Sequence, residues 1–117
     1  MEENMWGYRQ NAAYQPGIDL TGFKVEATDG SIGKVDKHSE DVGAAYLVVD
    51  TGTWIFGKEV LVPAGIVVRV DPQEKKVFVD RTKEQIKSAP GFDKEKHIGD
   101  PTYHDQLSNH YKHPTQP

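Results

Sequence analysis

Histidines and carboxylates are the first residues whose types could do chemistry. His97, His104, His110 and His113 all fall in the C-terminal stretch 91–117, together with Asp100 and Asp105. Imidazole and carboxylate are a workable ligand set for zinc or nickel. A metal centre also needs ligands held rigidly by a second layer of contacts. This stretch is polar, carries Pro101, Pro114 and Pro117, and keeps only Ile98 and Leu107 as aliphatic anchors. His104 and His110 lack the i, i+4 spacing of a helical ligand pair, and the i, i+3 pair His110 and His113 is weak alone. The histidines therefore read as solvated tail residues. No metal ligand and no cofactor is assigned, and a metal- or small-ligand-binding domain stands as an alternative.

Catalytic patterns are equally sparse. Glu40-Asp41 falls in a loop, while Asp29, Asp50, Asp71 and Asp80 fall at strand ends, where aspartate commonly bonds its own backbone in a turn. Ser31, Ser39, Ser88 and Ser108 lack the Gly-x-Ser-x-Gly context of a nucleophile elbow. Gly30-Ser31-Ile32-Gly33-Lys34 has neither the spacing nor the following helix of a phosphate loop. No catalytic residue is assigned, and the chain reads as a non-enzyme.

Aromatic spacing says more. Strand neighbours face opposite ways, so Trp54 and Phe56 share one face and Ile55 the other, and Phe78 opposes Val77 and Val79. A small core cannot receive both sets. Either the pair Trp54 and Phe56 or Ile55 is outside the main core. Outward apolar groups are either covered by the helix and tail or form a contact surface. On the second reading Trp54, Phe56 and Phe78 are the candidate interface residues, for self-association or a protein partner.

The elements that must carry these residues follow from hydrophobic period. Residues 1–20 show no sustained period and read as an N-terminal arm, although Trp6, Tyr8 and Tyr14 are odd residues to leave in water. Residues 21–90 hold nearly all the branched aliphatics, and residues 91–117 read as a C-terminal polar tail. Residues 1–17 and 101–117 are expected to add little to stability, having few apolar groups to offset ordering entropy. In the middle zone the period is two. Phe23-Val25-Ala27 alternates with polar residues and ends at the Asp29-Gly30 turn. Ile32–Lys37 resumes, and Tyr46-Leu47-Val48-Val49 is dense enough for burial on both faces. Val60–Val62 ends at Pro63, and Ile66–Val70 and Val77–Val79 follow. One short helix fits Lys83–Ala89, with Thr82 as N-cap and Gln85 as its capping-box partner, stopped by Pro90-Gly91. Six short strands at this spacing predict an all-β barrel or sandwich with one short C-terminal helix.

Composition narrows the classes of function. The chain of 117 residues suits one domain. Without cysteine it has neither disulfide framework nor thiolate metal site. Its apolar runs are far shorter than a membrane span, and the acidic start is unlike a signal peptide, so no membrane span and a cytoplasmic location are expected. The net charge of −4 is thinly spread, and no basic cluster exceeds Lys75-Lys76. Nucleic acid is disfavoured on that count, unless folding gathers scattered lysines onto one side.

Three segments together resemble the PRC-barrel domain: Gly22-Phe23-Lys24-Val25, Asp29-Gly30-Ser31-Ile32-Gly33-Lys34-Val35 and Tyr46-Leu47-Val48-Val49-Asp50-Thr51-Gly52. Gly57–Pro63, Val77–Val79 and Thr82–Pro90 extend the likeness over about residues 20–92. The resemblance implies a compact six-stranded β-barrel. That family includes part of the photosynthetic reaction-centre H subunit, the C-terminal domain of a ribosome maturation factor, and many stand-alone proteins, which this chain is most similar to. It carries no shared catalytic motif, and fold does not supply function. The reading is a non-enzymatic adaptor that self-associates as a homo-oligomer or docks on a protein partner. A ribosome- or RNA-associated accessory factor is the alternative.

Overall fold

The computed structural model describes residues 5–8, 17–39, 45–52, 59–89, 92 and 100–112. Six strands form one sheet: β1 Lys24–Ala27, β2 Gly30–Ser39, β3 Tyr46–Asp50, β4 Glu59–Pro63, β5 Val67–Asp71 and β6 Lys76–Val79. Helix α1, Lys83–Lys87, follows the sheet, and α2, Pro101–Lys112, lies near the C-terminus. The strand order is β4-β3-β2-β1-β6-β5. Neighbours are antiparallel except β1 and β6, which run parallel. The expected six-stranded, mostly β architecture is what forms.

The sheet curls round one core without closing its hydrogen-bond ladder. Every strand contributes: Val25 and Ala27, Ile32 and Val35, Leu47 and Val49, Leu61 and Val62, Val67 and Val70, Val77 and Val79. Leu47, Val48 and Val49 are all buried, as the density of that run predicts. The edge strands β4 and β5 are joined by a single 3-10 turn, Ala64–Ile66. At this corner the Gly65 N–H donates to the Met5 carbonyl at 2.7 Å, and the Ala45 N–H donates to that of Trp6 at 3.0 Å. The N-terminal segment thus pairs backbone groups at this corner of the sheet.

Three bulges set which side chains enter that core. Pairing skips Ile32 between β1 and β2, Asp36 between β2 and β3, and Val68 between β5 and β6. An extra residue on one strand reverses its alternation. That is why Ile32 and Val35, three apart, are both buried, as are Val67 and Val70.

Helix α1 forms as the sequence indicates. The Gln85 N–H donates to Thr82 Oγ1 at 3.1 Å, and the Thr82 N–H donates to Gln85 Oε1 at 2.9 Å. Ile86 enters the core. Asp29 ties the helix to the β1–β2 turn by accepting from the Lys83 N–H at 2.8 Å.

The flanks depart from expectation. Part of the stretch read as a polar tail is α2, whose Tyr103, Leu107 and Tyr111 recur every four residues and are all buried in the core. Asp100 caps it by accepting from the Thr102 N–H at 3.0 Å, and Pro101 takes the first helical position, where a missing N–H costs nothing. Met5 is buried, and the Trp6 indole N–H donates to Ser108 Oγ at 2.7 Å. Two tyrosines supply most of α2's buried stripe, so a search for aliphatic residues overlooks it. Among the described residues no helix is long and apolar enough to cross a membrane.

Candidate nucleic-acid interface

The sheet's register assembles a feature that the linear order hides. Lys24 on β1 pairs with Lys34 on β2 on one side and with Lys76 on β6 on the other. Neighbouring strands lie about 4.8 Å apart, so the three Cα atoms form a row about 10 Å long. All three alternate with buried residues, which points them away from the core; Lys24 and Lys34 are exposed and Lys76 is half-buried. Among the described residues none of these ammonium groups makes an ion pair. Like charges directly opposite on neighbouring strands destabilise a sheet, so the row costs the fold something.

Aspartates stand at both ends, with Asp50 opposite Lys34 and Asp71 opposite Lys76. Their carboxylates are already engaged. Asp50 accepts from the Gly52 N–H at 2.9 Å, and Asp71 accepts from the Gln73 and Glu74 N–H groups at 3.1 Å and from Arg69 at 3.0 Å. Beside Lys34 the chains of β2 and β3 approach closely. A Cβ on Gly33, where φ is +148°, would lie 2.1 Å from the Asp50 carbonyl oxygen. The resulting shallow cleft of about 240 Å³ is lined by Gly33, Lys34, Asp50, Thr51 and Gly52.

One step along the same face lies a second row: Arg69 on β5, Phe78 on β6, Glu26 on β1 and Ser31 on β2. The Arg69 guanidinium carbon sits 5.5 Å from the centre of the half-buried Phe78 ring. Glu26 places one carboxylate on this face. Of the three interface residues taken from the sequence, Phe78 is therefore outward-facing and covered by a cation, while Trp54 and Phe56 lie outside the described residues. Every fully exposed described residue is polar, charged, glycine or proline, so the described surface presents no fully exposed large apolar side chain.

The histidines serve other ends. His104 stacks on Trp6 with ring centres 4.6 Å apart, and His110 Nε2 lies 2.7 Å from the Gln85 carbonyl oxygen. His38 Nε2 accepts from the Leu20 N–H at 3.2 Å. His97 and His113 lie outside the described residues. Among the described residues no cluster of His, Asp or Glu is arranged to hold a metal ion. Buried Arg81 donates to the Tyr111 carbonyl near the end of α2 and to the Asp80 carboxylate, a cation placed where the helix dipole favours one.

The lysine row was not visible in the sequence because its members are separated by turns and three other strands. The Asp29-Gly30 turn alone would pair Lys24 with Gly33. Only the extra residue at Ile32 moves Lys34 into place.

No protein-family model matches the sequence, and no curated protein matches it. Among solved structures the chain is similar to a 16S ribosomal RNA processing protein, RimM, from Pseudomonas aeruginosa, at 22% identity and a TM-score of 0.48. The match covers 62% of this chain and 48% of that one, about half of its length.

Proposed function

We propose that this chain is a non-catalytic binding domain whose outer sheet face docks the phosphate backbone of nucleic acid, with RNA as the form suggested by one branch of the family that the sequence resembles. The observation that carries this reading is the row Lys34, Lys24 and Lys76, which makes no ion pair among the described residues. Sequences that break a local rule of sheet design tend to do so at functional positions, and a polyanion would relieve the repulsion within the row. Lys24 is the centre because it has a lysine on each side. The acidic net charge of −4 keeps such binding modest and confines it to this face.

The test is binding of a fluorescent oligouridine at low ionic strength, followed as salt is raised. Three phosphate contacts predict a slope of log K against log salt of about −2, at about 0.7 per contact for single strands. Lys24→Glu should lower affinity at least tenfold and flatten the slope. Absence of binding by the unmodified protein, or a Lys24→Glu variant that binds as well, would refute the reading.

A further inference from the structure

We infer that the site takes single strands rather than duplexes, stacking one base on Phe78 while the lysine row holds the neighbouring phosphates; this rests on the reading above. Phe78 stands two residues beyond Lys76 on the same face of β6, roughly 7 Å along the strand. Its ring is not sealed into the core, since Val77 and Val79 point inward while it points out. Arg69 already lays a flat, delocalised group over that ring, 5.5 Å from its centre, and is anchored by Asp71 at 3.0 Å. In the free protein the guanidinium fills the space above the ring that a base would take. It is largely exposed, so exchanging it for a base requires no repacking of the core.

An aromatic beside a line of cations is the arrangement by which sheets bind unpaired strands. Any base has a face to stack, and the backbone runs along the charges. A duplex buries its base faces, presenting backbone and base edges, so it would use the lysines and leave Phe78 without a face to stack on. Glu26, beside both Phe78 and Lys24, is the one carboxylate among the described residues that faces the middle of the site. It would repel a phosphate there and so places the backbone over the lysine row, with the base towards Phe78.

The decisive comparison uses oligouridine of about ten nucleotides, a duplex of equal phosphate count and inorganic polyphosphate. Phe78→Ala should weaken oligouridine binding about 5- to 150-fold and leave duplex and polyphosphate binding unchanged. Phe78→Leu, which keeps an apolar side chain there, should show the same selectivity and guards against an unfolded Ala variant. Equal losses for all three probes, or no loss for any, would overturn the stacking proposal while leaving the lysine row intact as a binding site. If none of the probes binds the unmodified protein, the docking reading itself falls. Preference of the unmodified protein for the duplex over oligouridine would overturn the stacking proposal alone.

Discussion

The lysine-bearing face and the seat of α2 solve opposite problems on the same sheet. At the α2 seat Tyr103, Leu107 and Tyr111 are buried with Met5 in one apolar cluster, and hydrogen bonds from Trp6 and Arg81 fix the helix along its length. On the lysine face, three like charges sit side by side with no ion pair among the described residues. One region supplies stability and offers little to a partner. The other, with like charges set side by side, adds little stability and on the proposed reading serves a ligand outside the molecule. Residues that hold a domain together and residues that act for it can thus be told apart by the sign of their expected effect on stability.

Mutations sharpen that contrast. The largest effect is expected at the helix seat, where Leu107→Ala should cost about 2–5 kcal/mol in denaturant unfolding, the range for a truncated core leucine. A loss under 1 kcal/mol would show that α2 rests on the barrel without supporting it. Lys24→Glu should move stability the other way. It replaces two like-charge pairs with two opposite pairs, gaining up to about 1 kcal/mol while binding is lost. Destabilisation by that variant would mean that the row is not repulsive, and the contrast between the two faces would collapse.

Smaller effects test the fit of the helix itself. Among the described residues the buried Tyr111 hydroxyl and the Arg81 Nε have no hydrogen-bond partner, and an unsatisfied buried group costs about 1–3 kcal/mol. Tyr111→Phe removes the orphaned hydroxyl yet keeps the ring and the carbonyl that Arg81 uses, so the melting temperature should rise. A fall would reveal a partner for that hydroxyl. Burial also pushes the Tyr111 phenol well above its ordinary value of 10.0. A group with a raised folded pKa leaves stability intact below its unfolded value and removes it as pH climbs beyond. Stability should therefore decline above about pH 10, and less steeply in Tyr111→Phe, by urea titration across that range.

How much of this was legible beforehand depends on the range of the interactions. Local rules sufficed for the capping box of Thr82 and Gln85, the alternation of β1, the doubly buried β3 and the turn at Asp29-Gly30, because each involves residues a few positions apart. The start of α2 was also written locally, in Asp100 followed by Pro101. Its tyrosine-based stripe went unread because the apolar groups were sought among aliphatic residues.

What the amino-acid sequence determined by itself was the inventory: strand-forming runs with period two, their turns, one capped helix, and the absence of any thiol chemistry. Tertiary structure decided which runs became neighbours and in what register. The parallel pairing of β1 with β6 sets Lys24 opposite Lys76, and the bulge at Ile32 sets it opposite Lys34 instead of Gly33. It likewise converted part of an apparent tail into core, because the Tyr103, Leu107 and Tyr111 stripe is buried only once the sheet and the N-terminal segment supply the surface it covers. Pairing across a sheet is a long-range property: a shift of one residue moves a side chain to the other face or another partner, and no local signal specifies that shift.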